Sequence, residues 1–304
     1  MLYFFCNVNF FQKLEDVLSE GFHGKGEKRN WALILGASSG FGGATAIELA
    51  RNGINIFGIH FDRAATMPQV QEIIDKVKAA GAQAVFFNVN AADPMVRDQT
   101  LDEIKQMVSK SKESFIKVIM HSLAFGSLGP YFGKSPQESM NQKKIEMTLD
   151  VMANSLVYWT QGAYFRGLLK KGTRIFAMTS SGGHTVLPNY GAVSAAKAAL
   201  ESHIRQIGME LGAFGITANS IMAGVTDTPA MRKIPNAQPM LEIARRKNPT
   251  GRATTPEDVA KAIALLCDER ADFISANLIG VDGGEDIVSY IGQRSAQDLG
   301  DGSI

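Results

Sequence analysis

Apolar residues in the middle of the chain occur in short runs, which alternate with longer stretches whose apolar positions repeat at helical spacing. Each run has the length of a buried strand, and each stretch between runs is long enough for a helix. The predicted strands lie near residues 32–35, 55–59, 84–87, 118–120, 174–178, 217–221 and 278–281. The predicted helices lie near residues 41–52, 67–80, 94–110, 138–169, 190–213 and 256–267.

This alternation predicts an α/β fold with a single doubly wound parallel sheet of the Rossmann type, covered by helices on both faces. Ligands of such folds bind beyond the carboxyl ends of the strands, so residues that follow a strand are the candidates for a site. We place this domain at residues 30–285. Residues 1–29 are a predicted extension with one amphipathic helix, and residues 286–304 are a predicted polar tail.

Composition narrows the class of protein. The 304 residues include 31 basic and 30 acidic ones, and the net charge of +1 gives no reason to expect nucleic acid or an anionic membrane as a partner. Cys6 and Cys267 are far apart and have no metal-type spacing, so we predict no metal site and no disulfide framework. No apolar run approaches the roughly 18 residues of a membrane span. We therefore expect a soluble, cytoplasmic protein.

A glycine-rich turn follows the first predicted strand. Residues 36–42 read Gly-Ala-Ser-Ser-Gly-Phe-Gly and open into the first predicted helix. Glycines permit a tight turn and let backbone amides approach a pyrophosphate at the positive end of the helix. Strand, glycines and helix in this order predict a dinucleotide site. Its members would be Gly36, Ser38, Ser39, Gly40, Phe41 and Gly42.

The ends of the second and third strands supply further candidate contacts for a cofactor. Residues 60–63 read His-Phe-Asp-Arg. An acidic side chain here would accept the ribose hydroxyls of NAD, whereas a basic one would favour the 2′-phosphate of NADP. Asp62 and Arg63 thus leave NADH and NADPH both open, with Arg63 favouring NADPH. Asn88 and Val89 are placed to meet the adenine.

Tyr190 and Lys197 form the candidate catalytic pair. The small residues between them favour a helix, and seven steps of about 100° bring both side chains near one face. A lysine beside a tyrosine favours the phenolate, which suits a general acid that must release a proton near neutral pH. The pair gains meaning only if a cofactor site brings a substrate to it.

Together these residues resemble the short-chain dehydrogenase/reductase superfamily over about residues 30–285, and within it the bacterial enoyl-acyl carrier protein reductases of the FabI and FabL types. Most of the superfamily has Tyr-x3-Lys, but here the spacing is Tyr-x6-Lys, and Val193 stands four residues before the lysine. Residues 121–125, His-Ser-Leu-Ala-Phe, are similar to the His-Ser-Ile-Ala-Phe of FabI. The run Ala-Gly-Val-Thr-Asp-Thr at 223–228 and the Val-Asp-Gly-Gly at 281–284 complete the likeness.

The resemblance implies a reaction and a site. The reaction would be NAD(P)H-dependent reduction of the trans-2 double bond of an enoyl thioester on acyl carrier protein, in fatty acid biosynthesis, by a homotetramer. Residues 225–248 would form a helical substrate loop. Further cofactor contacts would come from His121, Ser122, Leu123, Ala124, Lys197, Gly224, Thr226 and Thr228. Substrate contacts would come from Phe125, Ser180, Tyr190 and Met231.

Two departures refine the resemblance. Ser180 stands where FabI enzymes have a second tyrosine, and FabL-type sequences also have serine there, so FabL is the closer type. Met152 occupies the helix position that supplies an asparagine to the proton relay of carbonyl-reducing relatives, and we expect Asn154 to point elsewhere. This argues against a ketone or alcohol oxidoreductase, which is the main alternative. A non-catalytic dinucleotide sensor is the other alternative.

The spacing of the pair also favours conjugate reduction. If the cofactor ribose holds Lys197, a tyrosine three residues further upstream is displaced by roughly 4–5 Å along the helix axis. In conjugate reduction hydride lands on the β-carbon and charge develops on an oxygen two carbons away, so a displaced donor suits this reaction. The predicted substrate loop also carries basic residues that would meet an acidic carrier protein, namely Arg232, Lys233, Arg245, Arg246 and Lys247.

Overall fold

A computed structural model describes residues 30–234 and 237–289, and every structural statement below concerns those residues. The predicted N-terminal helix and most of the predicted C-terminal tail lie outside the described residues.

Seven parallel strands form one sheet in the order β3-β2-β1-β4-β5-β6-β7, which confirms the predicted fold class. They are β1 Trp31–Leu35, β2 Asn55–His60, β3 Ala84–Asn88, β4 Ile116–His121, β5 Arg174–Thr179, β6 Thr217–Ala223 and β7 Leu278–Val281. Each predicted strand is present, with bounds that shift by no more than two residues. All five residues of β1 are buried, because parallel sheets are covered on both faces.

Eight α-helices connect the strands in the described part of the chain. They are α1 Gly40–Arg51, α2 Met67–Ala79, α3 Pro94–Val108, α4 Gln142–Leu149, α5 Ser155–Phe165, α6 Gly191–Leu211, α7 Ala237–Lys247 and α8 Pro256–Leu266. The single helix predicted at 138–169 is interrupted by a π-helical turn, Asp150–Asn154, between α4 and α5. Helix α7 lies in the insertion that was predicted to be helical. None of these helices is long and apolar enough to cross a membrane.

An apolar core lies on each face of the sheet. On one face α3, α5 and α6 bury residues such as Leu101, Trp159 and Leu200. On the other face α1, α2 and α8 bury residues such as Leu49 and Ile263. The buried residues of each helix recur at helical spacing, so one stripe of every helix faces the sheet.

The direction of winding reverses between β1 and β4, because β2 lies on one side of β1 and β5 lies on the other side of β4. A crevice outside the carboxyl ends of the strands is expected at such a switch point. Leu35, the last residue of β1, pairs with His121, the last residue of β4. The glycine turn and the segment after β4 therefore start side by side at this crevice.

Candidate active site

The glycine turn lies directly against the segment that follows β4. Gly36 has a φ of +91°, and a Cβ at this position would lie 2.5 Å from the carbonyl oxygen of Ser122. A Cβ at Gly42 would lie 2.1 Å from the carbonyl oxygen of Gly36. Only glycine fits at both positions, because any side chain would collide with backbone atoms. The turn therefore presents bare backbone, as close approach of a ligand requires.

The same turn opens α1, with Ser39 as the residue before the helix. The first amides of a helix have no intrahelical partner and carry a partial positive charge. Gly40 lies next to Thr228, since a Cβ on Gly40 would be 3.4 Å from the Thr228 Cγ2. The predicted contacts Gly36, Gly40, Ser122 and Thr228 thus come together around a cradle that fits the pyrophosphate of a dinucleotide.

Asp62 lies at the edge of this cradle, just beyond β2. Its carboxylate accepts a hydrogen bond from the Thr66 hydroxyl at 2.8 Å and lies 3.1 Å from the His60 Nδ1. Partial burial opposes ionisation, but hydrogen bonds from Ser38, Thr66 and His60 hold the pKa of Asp62 below its usual value. The carboxylate is therefore ionised and already engaged by neighbouring groups. The Arg63 side chain is exposed.

The Asn88 side chain is committed to the backbone of Asp62. Its Oδ1 accepts from the Asp62 amide at 2.9 Å, and its Nδ2 donates to the Asp62 carbonyl at 3.0 Å. The Val89 amide donates to the His60 carbonyl at 2.7 Å. The side chain of Asn88 thus fixes the turn after β2, and the predicted contact of Asn88 and Val89 with the adenine stays a prediction.

Tyr190 lies just before α6 rather than inside the predicted helix, with φ −103° and ψ 2°. Its ring packs over Gly182, where a Cβ would lie 2.6 Å from the Tyr190 Cε1. Burial raises the pKa of the Tyr190 phenol, and the adjacent Ser180 hydroxyl offsets part of that rise. Ser180 Oγ is buried close to the phenol without making a hydrogen bond of ordinary geometry within the described residues. Burial is thus the largest effect on the phenol, and the expectation that Lys197 favours the phenolate stays a prediction.

Lys197 is turned toward the sheet. Its side chain is only 6% exposed, and its Nζ donates to the Met178 carbonyl of β5 at 2.7 Å. Burial lowers the pKa of Lys197 to about 8, and the charge of Glu201 offsets part of this effect. Glu201 accepts a hydrogen bond from the Thr179 hydroxyl at 2.6 Å. At neutral pH the ammonium is therefore largely protonated and sits at the end of β5, one strand from the switch point.

His121 does not line the crevice with its side chain, which is fully buried. The Ser155 hydroxyl donates to the Val151 carbonyl at 2.8 Å, so its oxygen accepts the proton of His121 Nε2, also at 2.8 Å. Burial and the positive charge of Lys197 lower the pKa of His121 to about 3, and the imidazole is neutral. The His121 side chain is therefore turned into the core, so a contact of this residue with a cofactor would be made by its backbone and stays a prediction. Leu123 and Ala124 continue that edge and are partly or fully exposed.

Met152 and Val193 stand at the two positions that supply an asparagine and a tyrosine in carbonyl-reducing members of the short-chain dehydrogenase/reductase superfamily. Both side chains are apolar here, and both pack against Gly126. A Cβ on Gly126 would lie 2.6 Å from the Met152 Sδ and 3.0 Å from the Val193 Cγ2. The Asn154 Oδ1 lies 3.2 Å from the His203 Nε2, which confirms that Asn154 points elsewhere. No asparagine relay can form through these positions.

The candidate substrate residues differ in accessibility. Phe125 is 65% exposed beside the crevice, whereas Met231 is only 7% exposed and offers a ligand little surface. Thr226 is buried, and its hydroxyl donates to the Gly224 carbonyl at 2.9 Å. The predicted contact of Thr226 with a cofactor stays a prediction.

Sequence reasoning missed several residues that shape the site. Glu285 accepts from the Val225 amide at 3.2 Å and so ties the start of the insertion to the chain after β7. Ser155 orients His121, and Glu201 supports the charge of Lys197. The acidic residue one helical turn after Lys197 was the only one of these with a local signal, since residues four apart on a helix are neighbours.

A doubly wound parallel sheet with a glycine cradle at its switch point is typical of dinucleotide-binding enzymes, and the family and relatives that this chain matches make it an NAD(P)-dependent oxidoreductase of the short-chain dehydrogenase/reductase type. The family model described as Enoyl-(Acyl carrier protein) reductase matches residues 36–285. The chain belongs to this family.

The individual relatives of this chain differ from one another in activity. The chain is 28% identical to an enoyl-[acyl-carrier-protein] reductase [NADH] FabI of Buchnera aphidicola, over 84% of this chain and 95% of the relative. It is 27% identical to a cyclohexanol dehydrogenase of a Rhodococcus species, over 83% of this chain and 94% of the relative. A short chain dehydrogenase from Burkholderia cenocepacia, solved in complex with NADP, shares the fold with a TM-score of 0.72, at 23% identity over 85% of this chain and 98% of that chain.

Proposed function

We propose that the protein is an enoyl-acyl carrier protein reductase, which uses NADPH to reduce the trans-2 double bond of an enoyl thioester. The observation that carries the proposal is the place of Tyr190 before α6, while the position four residues before Lys197 is a buried valine. The Tyr190 phenol can donate a proton and the valine cannot, and the phenol would stand displaced from the place that suits direct carbonyl reduction.

The glycine cradle and the amino end of α1 would hold the pyrophosphate, with Ser122 and Thr228 on either side. Lys197 would hold the ribose of the nicotinamide half. When bound, the reduced nicotinamide would supply hydride to the β-carbon of the substrate, and a proton added at the α-carbon would complete the reduction of the double bond. Tyr190 donates a hydrogen bond to the thioester oxygen, where negative charge develops, and Lys197 keeps a positive charge nearby. Phe125 covers the acyl chain at the mouth of the site.

The preference for NADPH rests on two neighbouring residues. The oxygens of Asp62 are engaged by Thr66, His60 and Ser38, which weakens it as an acceptor for a ribose hydroxyl. The exposed guanidinium of Arg63 makes no ion pair within the described residues and suits a 2′-phosphate. Arg63→Ala should lower kcat/KM for NADPH about 10-fold or more and leave NADH little changed. Equal losses with both cofactors would contradict this assignment.

An acidic acyl carrier protein is the proposed partner at α7 and the turn before it. Arg232 is paired with Asp227 at 2.6 and 2.9 Å, and Arg246 is paired with Glu242 at 2.6 Å. Within the described residues Lys233 and Arg245 make no ion pair, although Arg245 adds to the effect of Arg232 in lowering the pKa of Asp227. We infer that both charges are open to a partner. Arg245→Glu should raise KM about 10-fold for a carrier-linked substrate but not for the coenzyme A thioester. Lys261→Glu on α8 is the matched control with the same charge reversal, and it should change neither the KM for the carrier-linked substrate nor that for the coenzyme A thioester.

Self-association as a homotetramer is proposed for the aromatic surface near the ends of α5 and α6. Phe165 and Phe214 are exposed there, with Tyr164 within 6.0 Å of the Phe214 ring centroid. Exposed aromatic clusters of this kind mark protein interfaces. The molar mass by light scattering tests the proposal.

The alternative function is oxidoreduction of a ketone or alcohol, which the likeness to a cyclohexanol dehydrogenase favours. A steady-state assay with crotonyl thioester and with cyclohexanone, each offered NADH and NADPH, separates the two reactions. Conjugate reduction predicts turnover of the thioester that is lost in Tyr190→Phe and retained in the control Tyr164→Phe. Turnover of cyclohexanone without turnover of the thioester would overturn the proposed function.

A further inference from the structure

Tyr190 is the residue before α6, so helical hydrogen bonds hold only its carboxyl side: its carbonyl accepts from the Ser194 amide at 2.8 Å, whereas its own amide donates to the Leu187 carbonyl at 3.3 Å, outside the helix. The residue before it, Asn189, has a φ of +63°, in the left-handed region that asparagine tolerates better than most residues. A side chain carried on such a turn keeps its direction only if neighbouring groups fix the turn. On the amino side of Tyr190, the restraints that hold the phenol in place therefore come from outside α6.

Those restraints come from the segment between β4 and α4. The Gly129 amide donates to the Asn189 carbonyl at 2.9 Å. Two residues later, the Tyr131 ring lies directly over Gly191, where a Cβ would be 2.7 Å from the Tyr131 Cζ and 2.8 Å from its Cε2. The two contacts fix the residues directly before and after Tyr190, namely Asn189 and Gly191.

Hydrogen bonds also fix the segment between β4 and α4 itself. The Met140 amide donates to the Pro130 carbonyl at 2.8 Å, on one side of Tyr131. The Gly133 amide donates to the Ser139 hydroxyl at 2.9 Å, on the other side. These bonds close residues 130–140 into a compact loop, so the Tyr131 ring rests on a defined support.

We propose that Tyr131 is a positioning residue, whose ring braces the Asn189–Gly191 turn and so sets the place of the Tyr190 hydroxyl. The inference rests on the proposed role of Tyr190 as the donor to the thioester oxygen. It explains why residue 191 is glycine: its backbone is helical and would accept alanine, but the Tyr131 ring occupies the space of the methyl group.

The ring and not the hydroxyl carries this role. The Tyr131 hydroxyl makes no hydrogen bond to any described residue, and the side chain is 44% exposed. The two atoms nearest to a Cβ on Gly191 are ring carbons that phenylalanine also has, and the Tyr131 hydroxyl oxygen follows at 3.0 Å. Tyr131→Phe should therefore keep the brace, and Tyr131→Ala should remove it.

The test compares five variants of the full-length enzyme with crotonyl thioester and NADPH. Tyr131→Ala should lower kcat about 10- to 100-fold, the loss that displacement of a catalytic group by about 1 Å produces. Tyr131→Phe should stay close to the parent enzyme. Gly191→Ala should lower kcat like Tyr131→Ala, but should add no further loss in a Tyr131→Ala background, because the collision is then gone. Phe132→Ala, at the 95% exposed next residue, is the control and should change nothing.

Two readouts separate positioning from general damage to the fold. The Kd of NADPH, from nicotinamide fluorescence, and the midpoint of thermal unfolding should change little in Tyr131→Ala while kcat falls. The inference is overturned if Tyr131→Ala keeps full kcat, or if Tyr131→Phe loses as much as Tyr131→Ala. It is also overturned if cofactor affinity and thermal midpoint fall together with kcat. Should Tyr131→Ala not fold, Gly191→Ala alone decides by the same criteria.

The Tyr190→Phe variant distinguishes failure of this inference from failure of the proposed function. If Tyr190→Phe retains full thioester turnover, the proposed function fails. If Tyr190→Phe is inactive and Tyr131→Ala is fully active, only the brace is wrong.

Discussion

Replacing Lys197 by methionine should abolish turnover and yet stabilise the folded protein at neutral pH. The two side chains have similar length and volume, so the substitution mainly removes a charge from a site that is only 6% exposed. Lys197→Met also removes the hydrogen bond that Nζ donates to the Met178 carbonyl at 2.7 Å. These two effects on the free energy of unfolding have opposite signs.

The structure sets the size of each effect. Burial lowers the pKa of Lys197 from 10.5 to about 8, which corresponds to roughly 3 kcal/mol of unfavourable charge burial at neutral pH. A lost hydrogen bond that leaves a buried carbonyl without its partner costs about 1–2 kcal/mol. The variant should therefore be about 1–2 kcal/mol more stable at pH 7.

The dependence on pH provides the sharper test. Because the folded-state pKa lies below that of the unfolded chain, the unfolded chain binds more protons between about 8 and 10.5, and the stability of the parent rises with pH there. The variant lacks this contribution. Its advantage in urea unfolding should be largest at pH 7 and should shrink, then reverse, as pH rises toward 10.5. Other titrating groups cancel in the difference between the two proteins.

Two results would refute the reasoning. A variant that is less stable than the parent at pH 7 would show that the ammonium is not penalised by burial. A difference in stability that stays constant from pH 7 to pH 10 would show that Lys197 does not titrate in that window.

The remaining predictions test the cradle, the core and a helix terminus. Gly36→Ala should abolish measurable NADPH binding and lower the free energy of unfolding by about 3 kcal/mol or more, because a Cβ there lies 2.5 Å from a carbonyl oxygen. Gly53→Ala is the control, since Gly53 has a φ of +75° but no atom within 4 Å of its Cβ position. It should lower the free energy of unfolding by about 1 kcal/mol and leave NADPH binding intact. Trp159→Phe should lower urea stability by about 2–3 kcal/mol, because the fully buried Trp159 Nε1 donates to the Ala91 carbonyl at 2.9 Å, and a loss below about 0.5 kcal/mol would contradict this. Asp258→Asn should lower the free energy of unfolding by about 1 kcal/mol at pH 7, because Asp258 pairs with Arg252 and closes the capping box of α8. Because the Arg252 hydrogen bond lowers the pKa of Asp258, this contribution is present above the usual carboxyl pKa and should disappear as pH falls below it.

The strands, most of the helices and the glycine cradle could be predicted from the sequence because their signals are local. Buried parallel strands such as β1 are continuous apolar runs. The turn before α1 has positions where only glycine fits, so its glycines mark the start of the helix. The place of Tyr190 in the chain and the absence of a proton donor at Val193 can likewise be read from spacing alone.

The tertiary structure decided what each of these side chains touches. Periodicity places His121 at a strand end, but its burial against Ser155 depends on a π-turn 30 residues later in the chain. The ammonium of Lys197 meets a carbonyl of β5, and Tyr190 is gripped by a loop that follows β4. Desolvation and contact energies arise between segments distant in sequence, so the charge state and direction of a catalytic group follow from packing and not from the pattern that reveals it.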